Sequence, residues 1–373
     1  MNGPVHLEGN PRIALVHDWL TVPAGSEEVF REMAALFPGT VFTSQYDPDR
    51  IRFLANEEVR TSFVQRLPGS LRRHYLYAPL LPYVYRSFDL RNFDLVLSSS
   101  HSFAHGVRKA PHAVHLNYTH TPARALWSPE VDPRGSKTFL HRWLASHLRR
   151  LDLEASKRPD VFFANSRTTA ERIRRFYGRD SQVIHPPVHV AKWQDVGRVD
   201  EDLGYLYWGR LIAYKRVDLL IRAARAKGFA LQIVGSGPEE ARLRRLAADV
   251  PSVEFHGRLP DEQLKALMAR CRAFLFPAYE DFGIVVVEAM AAGLPVVAFG
   301  EGGASETVTN ETGVLFSSQT LESLLGGVEE FESRTFDSRT LRAQAWKFDV
   351  DVFRGRYARA VSEAWKAHRE GAT

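Results

Sequence analysis

The chain has 373 residues, 45% of them hydrophobic and 25% charged, and its formal net charge is +5. This length suits two domains with separate cores, and the composition is that of an ordinary soluble globular protein. One cysteine excludes a disulfide framework, and no apolar run approaches the roughly 20 residues that a transmembrane helix needs.

Localisation and partners can be predicted from the first residues and from the charge. The amino-terminal ten residues are polar and unlike a signal peptide, so we expect a cytoplasmic protein with Cys271 as a buried structural thiol. Residues 51–150 contain 15 Lys and Arg against 6 Asp and Glu, and 12 of the 14 histidines lie in residues 1–190. A basic first half predicts anionic partners. We expect a large anionic partner and peripheral attachment at the inner face of the cytoplasmic membrane, and no nucleic acid.

Short apolar runs alternate with helical patterns along the whole chain. In the first half the strand-like runs are Ile13–His17, Thr40–Thr43, Leu95–Ser98, Ala113–Tyr118, Val161–Asn165 and Gln182–His185. In the second half they are Tyr205–Trp208, Leu231–Val234, Val253–Phe255, Ala273–Pro277 and Val296–Ala298. Such alternation predicts βαβ units with parallel sheets.

Helical patterns and a linker complete the predicted organisation. The helices include Glu27–Leu36, Ser166–Tyr177, Val217–Ala226 and Ile284–Ala292, and residues 346–367 look like a helix pair. The proline-led stretch Pro186–Asp202 is polar and has no periodicity, so we place the linker there. The predicted domains are residues 1–190 and 191–345.

A basic, aromatic stretch in the first domain has two interpretations. Leu71–Phe88 contains four tyrosines, four leucines and three arginines, a mixture that suits a membrane interface. Trp143 and the basic pattern Lys137–Arg150 could extend that surface. The alternative is a core-packing segment interrupted by Pro79 and Pro82.

Two cations follow the first strand of the second domain. Arg210 and Lys215 lie between that strand and the next helix, where an Arg fork and a Lys point charge can clamp a diphosphate. The alternative is a solvated Arg and a Lys that merely starts a helix.

The next turn contains Gly235, Ser236 and Gly237. It lacks the third glycine of a dinucleotide fingerprint, because Glu240 occupies that position, and this disfavours a nicotinamide site. We expect Ser236 to border a nucleotide, with Arg258 beside its base.

Two glutamates, Glu280 and Glu288, stand eight positions apart across a predicted strand-to-helix turn. The first helix amides, at Phe282, Gly283 and Ile284, point at whatever lies beyond the strand, and a phosphate or sugar hydroxyls suit that position. The apolar neighbours of Glu288 indicate a buried helix, so its carboxylate needs a partner, and ribose hydroxyls would serve. The alternative is a solvent-facing Glu288. The spacing fits a nucleotide sugar.

This turn resembles the paired-glutamate signature of retaining glycosyltransferases with the GT-B arrangement, and of family 4 in particular. Four other segments resemble motifs of that family and occur in the same order along the chain. They are ALVHDWLTVPAGSEEV at Ala14–Val29, LYWGRLIAYKRVD at Leu206–Asp218, IVGSGPE at Ile233–Glu239 and FHGRL at Phe255–Leu259. The family usually has two adjacent glycines in the first of these, and only Gly25 matches because Ala24 occupies the other position. Segments Ser98–Gly106 and Asn117–Pro122 look most like bacterial enzymes that transfer mannose in O-antigen or exopolysaccharide assembly.

The resemblance implies an α/β fold of two facing Rossmann-like domains with parallel sheets, and a tail, residues 346–373, that crosses back to the first domain. It implies transfer of a hexose, with mannose from GDP-mannose favoured, to a lipid-linked oligosaccharide with retention of configuration. The resemblance implies that Arg210 and Lys215 bind the leaving diphosphate and that Gly25 lies near the phosphate. It implies that Glu280 lies near the hexose and that Glu288 binds the ribose. It also implies that His101 contacts the transferred sugar, with His105 as the alternative. His120 is expected on the acceptor side or as a loop-shaping residue.

Neither a metal nor another cofactor is expected. Three acidic triplets, Asp47–Asp49, Asp200–Asp202 and Asp349–Asp351, mimic a DxD pattern, but none follows a buried strand near the proposed phosphates. The alternative functions are a sugar-nucleotide epimerase or phosphorylase of the same plan, or a non-catalytic nucleotide-sugar binder, because fold alone does not determine function. No segment suggests the pyridoxal lysine that a phosphorylase needs.

Overall fold

The structure, a computed structural model, describes residues 3–127 and 139–371, except for the side chains of residues 74, 75 and 139–142. The described chain forms two compact units. The first runs to Pro187 and resumes at Asp351, and the second is Val188–Val350. Each unit is built on one β-sheet.

The first unit has a seven-stranded sheet in the order β3-β2-β1-β4-β5-β6-β7. Its strands are β1 Ile13–His17, β2 Thr40–Thr43, β3 Val59–Thr61, β4 Leu95–Ser100, β5 Val114–Thr119, β6 Val161–Ala164 and β7 Gln182–Val183. All neighbouring strands are parallel, with Leu15 opposite Leu97 and Leu116 opposite Val161 in the register. The carboxyl ends of β1, β4 and β5 therefore lie side by side.

Helices cover both faces of this sheet. They are α1 Gly25–Leu36, α2 Leu81–Ser87, α3 Arg124–Trp127, α4 Phe139–Ala155, α5 Arg167–Tyr177 and the last helix, α13 Val350–Gly371. Alternate residues of a strand point to opposite faces, so Leu15 and Leu97 pack in one core while Val16 and Val96 pack in the other. Helix α13 belongs to the first of these cores through Tyr357 and other buried residues.

The second unit has a six-stranded parallel sheet in the order β10-β9-β8-β11-β12-β13. Its strands are β8 Tyr205–Trp208, β9 Leu231–Val234, β10 Val253–Gly257, β11 Ala273–Phe276, β12 Val296–Phe299 and β13 Gly313–Phe316. Its helices are α6 Val217–Lys227, α7 Glu240–Leu246, α8 Asp261–Met268, α9 Ile284–Ala291, α10 Ala304–Thr307, α11 Leu321–Glu332 and α12 Ser338–Trp346. Each face of this sheet carries its own apolar core.

The predicted alternation is confirmed, with three differences. Strands β3 and β13 were not predicted, since β3 is a three-residue edge strand with a mostly exposed polar sequence and β13 follows a turn-rich segment. The predicted helix pair at 346–367 is wrong, because α12 ends at Trp346 and the remainder is one 22-residue helix, α13. Of the predicted basic pattern Lys137–Arg150, residues 137 and 138 lie outside the described residues, and α4 extends beyond it to Ala155.

No helix within the described residues combines the length and apolar character needed to cross a membrane.

Candidate functional site

The carboxyl edge of the second sheet gathers most of the predicted site residues of that domain. Parallel strands all end at the same edge, so the loops that follow them meet there. Arg210 and Lys215 follow β8, Ser236 follows β9, Arg258 follows β10 and Glu280 follows β11. Sequence analysis did not include the loop after β12, residues 300–303, which also belongs to this edge.

Lys215 and Glu280 are joined directly. The Nζ atom of Lys215 forms an ion pair with Oε1 of Glu280. Lys215 is only 8% exposed, and its ammonium lies 5.3 Å from the centroid of the Phe276 ring. Arg216, in the left-handed region with a φ of 55°, ends the short turn Ala213–Lys215 and lets α6 begin at Val217. A cation and a carboxylate are thus held at the ends of neighbouring strands β8 and β11.

Arg210 occupies a different environment. Its side chain is exposed, while its backbone carbonyl accepts a hydrogen bond from the hydroxyl of buried Tyr207 at 3.3 Å. The backbone of this loop is therefore fixed and the guanidinium is accessible. This combination suits a residue that meets a ligand more than one that stabilises the core.

Glu288 lies on α9 and is half-buried. Burial raises the pKa of its carboxyl from 4.5 to about 7, although Lys192 and the indole of Trp208 act in the opposite direction. A carboxylate that needs a partner was predicted here from the apolar neighbours of Glu288. Burial disfavours the ionised form of a carboxyl group, and this raises its pKa. Lys192 was not predicted.

The first turn of α9 begins at Ile284, after Gly283 in the left-handed region with a φ of 84°. The Phe282 ring is buried and packs 5.7 Å from that of Phe348. What this turn can offer a ligand is therefore its backbone amides, which have no acceptor inside the helix.

The loops at this edge pack backbone against backbone through glycines. A Cβ on Gly303 would lie 2.1 Å from Cα of Phe282, and one on Gly302 would lie 2.3 Å from the carbonyl oxygen of Glu280. The amide of Gly303 donates to that same carbonyl at 2.8 Å. Gly302 and Gly303 thereby fix the turn that carries Glu280, and the sequence signal for them was a glycine pair three residues after a buried strand.

Gly235 and Gly237 have the same structural purpose. A Cβ on Gly235 would lie 1.9 Å from the carbonyl oxygen of Gly209, and one on Gly237 would lie 2.2 Å from that of Leu211. Between them, Ser236 accepts a hydrogen bond from Nε of Arg258 at 2.8 Å. The structure therefore brings together the two residues that we predicted to border a nucleotide.

The first domain carries a cluster of three histidines at the carboxyl edge of its sheet. His17 ends β1, His101 follows β4 and His120 follows β5. The ring centroids of His101 and His120 are 6.2 Å apart, and that of His17 lies 5.8 Å from His101. Burial, reinforced by the charges of His101 and His17, holds the pKa of His120 well below its ordinary value. The Nε2 atom of His120 lies 2.8 Å from the Ser99 hydroxyl.

His101 is the accessible member of the pair that sequence analysis left open. Its side chain is 21% exposed, whereas His105 is buried with its Nε2 3.2 Å from the Asp152 carboxylate. A ligand at the sheet edge can thus meet His101, while His105 serves the core beneath. Gly25 is the first residue of α1.

Sequence analysis missed two buried carboxylates beside these histidines. Glu27 lies on α1 with its Oε1 3.6 Å from Nε2 of His17. Burial acts to raise the pKa of Glu27, but the neighbouring imidazoles of His17 and His101 lower it overall. Asp18 directly follows β1, and its carboxylate accepts backbone amides of the loop that carries His101. The sequence signal was the His-Asp pair at the end of the first strand.

The acidic triplets have local structural roles. Asp47 accepts the amide of Asp49 at 3.2 Å, Asp202 pairs with Arg272, and Asp349 accepts the amide of Val190 at 3.3 Å. Among the residues that the structure describes, no group of three or more His, Cys, Asp or Glu side chains could hold a metal ion. Cys271 is buried, and burial raises the pKa of its thiol to about 12.

Both domains match models of known families. Residues 27–192 match the model described as Glycosyltransferase Family 4, and residues 192–347 match that of Glycosyl transferases group 1. The fold is similar to that of HepE from Anabaena, solved in complex with UDP, with a TM-score of 0.70 at 20% identity over 94% of this chain and all of that one. The fold is therefore GT-B, and the chain belongs to glycosyltransferase family 4.

Among glycosyltransferases, the chain is similar to bacterial mannosyltransferases. The chain is 31% identical over 254 residues to the GDP-mannose-dependent alpha-(1-6)-phosphatidylinositol monomannoside mannosyltransferase of Mycolicibacterium smegmatis, covering 60% of this chain and 65% of that protein. It is 35% identical over 121 residues to the O-antigen chain mannosyltransferase C of Escherichia coli, covering 31% and 32%. The chain thus spans less than two thirds of either relative. The predicted resemblance to bacterial mannosyltransferases is confirmed.

Replacing Glu288 by Gln should change the pH dependence of stability. A carboxyl whose pKa is 4.5 when unfolded and about 7 when folded stabilises the native state by its extra proton, and that contribution is lost as pH rises from 4.5 to 7. We expect Glu288→Gln to raise the free energy of unfolding at pH 8 by up to about 3 kcal/mol and to change it little at pH 5. Urea unfolding at both pH values measures this.

The matched control is Glu311→Gln, which changes an exposed carboxylate of the same domain. It should leave the free energy of unfolding nearly unchanged at both pH values. An equal effect of Glu288→Gln at pH 5 and pH 8 would contradict the raised pKa.

Proposed function

We propose that this chain is a retaining mannosyltransferase that moves mannose from GDP-mannose to a lipid-linked glycan acceptor in surface polysaccharide synthesis. The observation that carries the proposal is the Lys215–Glu280 ion pair at the carboxyl edge of the second sheet, beside the first turn of α9. Ligands of open α/β sheets bind at such edges. A cation, a carboxylate and free helix amides together suit a sugar joined to a diphosphate.

The relatives support the choice of donor and the kind of acceptor. The name of the Mycolicibacterium relative specifies GDP-mannose as donor and a phosphatidylinositol monomannoside, a glycolipid, as acceptor. The name of the Escherichia coli relative specifies an O-antigen chain. One name specifies a mannose-bearing lipid and the other a glycan chain, which supports a lipid-linked oligosaccharide as the acceptor here.

Each donor contact is assigned by the chemistry of the side chain. Arg210 and Lys215 bind the diphosphate together with the amides of Gly283 and Ile284. Ionised Glu288 accepts hydrogen bonds from ribose hydroxyls, and Glu280 accepts them from the hexose. Because Glu280 already holds the Lys215 ammonium, an arriving diphosphate must share that cation with the carboxylate.

Retention is proposed to follow from leaving-group stabilisation. The bond from the anomeric carbon to the diphosphate oxygen breaks, and a bond to the acceptor oxygen forms on the same face of the sugar. The hydroxyl proton of the acceptor passes to the departing diphosphate. Arg210, Lys215 and the helix amides stabilise the charge that develops there, which is the largest catalytic term in many enzymes.

A divalent metal is not part of the proposed mechanism. Arg210 and Lys215 are cations at the edge where the diphosphate is placed, and the first turn of α9 adds the positive end of a helix dipole. These groups supply the positive potential that a metal provides in other phosphoryl sites.

We further propose that the first domain binds an anionic membrane surface. Trp143 is 60% exposed on α4, its ring stacks on His147, and Nε2 of His147 lies 3.0 Å from the hydroxyl of exposed Tyr83 on α2. Arg72 and Arg73, before α2, are also exposed. We call Arg72, Arg73, Tyr83 and Trp143 the aromatic-basic surface. Aromatic rings and cations of this kind suit the headgroup region of a bilayer.

Only part of the predicted membrane segment contributes to that surface. Tyr85 was grouped with the membrane-facing tyrosines, and the structure buries it in the core, where its hydroxyl lies within hydrogen-bond distance of the carbonyl oxygens of both His17 and Asp18. Val84 is buried as well. The side chain of Tyr75 lies outside the described residues.

Donor turnover tests the proposed function directly. We expect the protein to hydrolyse GDP-mannose slowly without an acceptor, faster than UDP-glucose, and equally well in EDTA. Proton NMR of the reaction should show the α-anomer of mannose first, because configuration is retained. Conversion to another nucleotide sugar would indicate an epimerase, and phosphate-dependent cleavage of a glycan would indicate a phosphorylase. GDP binding without turnover, even with glycolipid acceptors, would indicate a non-catalytic binder.

Arg210→Ala should reduce turnover without reducing stability. The exposed guanidinium contributes little to folding, whereas removal of a charge-assisted contact to the leaving group costs about 2–4 kcal/mol of transition-state stabilisation. We expect kcat to fall by a factor of about 30–1,000, since each 1.36 kcal/mol is tenfold in rate, and the melting temperature to stay unchanged. Lys215→Ala should reduce kcat comparably, but it also leaves the partly buried Glu280 without its cation and so destabilises the fold.

Arg222→Ala is the matched control, since Arg222 is an exposed arginine on α6 of the same domain. It should keep normal kinetics. Normal kcat in Arg210→Ala and Lys215→Ala would contradict the proposed diphosphate contacts.

Membrane binding should depend on the aromatic-basic surface. Each basic residue near an anionic bilayer contributes about 1 kcal/mol, and salt screens that attraction. We expect sedimentation with vesicles that contain phosphatidylglycerol, less at high salt, and less after Trp143→Ala or a combined Arg72→Glu and Arg73→Glu change. Trp346→Ala, which changes a 43% exposed tryptophan of the second domain, is the control. Equal and negligible binding to neutral and anionic vesicles at low salt would contradict the proposal.

A further inference from the structure

We propose that Asp18 is a positioning residue that holds the His101 loop and sets which ring nitrogen of His101 meets the donor sugar. This inference rests on the proposed function and on the role that the family resemblance implies for His101, which is contact with the transferred sugar. Asp18 itself is fully buried and touches no ligand in that scheme. It acts through His101.

The Asp18 carboxylate accepts four consecutive backbone amides. Its Oδ2 accepts those of His101 and Ser102 at 2.7 and 2.8 Å, and its Oδ1 accepts those of Phe103 and Ala104 at 2.7 and 2.8 Å. A carboxylate offers about four acceptor positions, so all of them are used. Charge-assisted bonds of this length are the strong ones, and they fix the backbone of 101–104 relative to β1.

The backbone of Asp18 is itself held in place. Its carbonyl oxygen accepts hydrogen bonds from the hydroxyls of Ser44 and Tyr85 and from the amide of Ser44 at 3.3 Å. Ser44 follows β2, and Tyr85 lies on α2. Through Asp18, the loop that carries His101 is therefore held in a fixed position relative to β1, β2 and α2.

The geometry also determines the orientation of the His101 ring. Its Nδ1 atom is buried and lies 3.5 Å from Oδ2 of Asp18, and the ring meets Trp19 edge-on with centroids 4.4 Å apart. Since the four amides occupy the acceptor positions of the carboxylate, Asp18 acts on the ring through its negative charge, which favours hydrogen on the nitrogen that faces it. Nε2 is then the acceptor nitrogen, and it can receive a hydrogen bond from a sugar hydroxyl.

Asp160 shows what a purely structural aspartate of this sheet does. It precedes β6, at the opposite edge, and its Oδ2 accepts the amide of His115 at 2.7 Å while it also pairs with Lys109. It belongs to the same sheet and also binds a backbone amide, but it lies away from the histidine cluster. Asp160→Asn is therefore the matched control for Asp18→Asn.

The experiment compares wild type, Asp18→Asn and Asp160→Asn. In Asp18→Asn the amide nitrogen replaces one oxygen and faces two backbone donors, so the loop must shift. We expect kcat for GDP-mannose hydrolysis to fall about 10²-fold, the scale of a misplacement near 1 Å, while KM and GDP affinity stay within about twofold. Asp160→Asn should keep its kcat, whatever its effect on stability.

Histidine-selective ¹⁵N NMR supplies a readout that a merely structural role would not change. In wild type we expect the His101 signal, assigned with His101→Gln, to report the neutral form with hydrogen on Nδ1, and the amides of 101–104 to exchange slowly with solvent. In Asp18→Asn the fraction with hydrogen on Nδ1 should fall. These wild-type measurements decide the inference even if Asp18→Asn does not fold.

Two results would overturn the inference. One is hydrogen on Nε2 of His101 in wild type, and the other is an unchanged kcat in folded Asp18→Asn. Failure of the proposed function has a different signature: wild type would not turn over GDP-mannose, yet His101 would still carry its hydrogen on Nδ1 beside Asp18.

Discussion

Backbone-to-backbone packing of loops is the constraint on which the second domain's candidate site depends. The turn that bears Glu280 is held by Gly302 and Gly303, and the turn after β9 is held against the turn after β8 by Gly235 and Gly237. At each of these four positions a Cβ would lie within 2.3 Å of a backbone atom, so no side chain fits. Without this packing, Lys215 and Glu280 would have no fixed separation and the pair would lose its burial. An ion pair exposed to solvent contributes little to stability.

Buried charges define the two sites in opposite ways. Asp18 has four amide donors and is fully satisfied within the protein. For Glu288, burial outweighs the opposing effects of Lys192 and the Trp208 indole, so the pKa of its carboxyl is raised to about 7. A satisfied buried charge fixes structure, whereas an unsatisfied one is a position where a ligand can supply the missing hydrogen bonds. The buried carboxylate of the first domain therefore fixes a loop, whereas the second domain holds a carboxyl group whose pKa is raised by burial.

Sequence reasoning succeeded where a pattern is local. The strands β1, β2, β8 and β9 were predicted to the residue because buried parallel strands are continuous apolar runs. Lys215 and Glu280 were both singled out, but their ion pair was not, since 65 positions separate them and only the strand order β8-β11 makes their loops neighbours. Asp18 was missed for the same reason, because its four partners lie after β4 in the chain. Tyr85 was misplaced because a basic, aromatic composition does not show which rings face inward.

Helix α13 makes the first domain a discontinuous one. Phe353, Tyr357 and Trp365 complete the core formed by β1, β4 and α1, and Arg354 pairs with Glu32 of α1 at 2.6 Å. The whole second domain lies between the two parts of that core in the sequence. During synthesis, residues 188–350 emerge from the ribosome before the last helix does. The second domain can therefore fold first, while the first domain exposes an unfinished apolar face until its own final segment arrives.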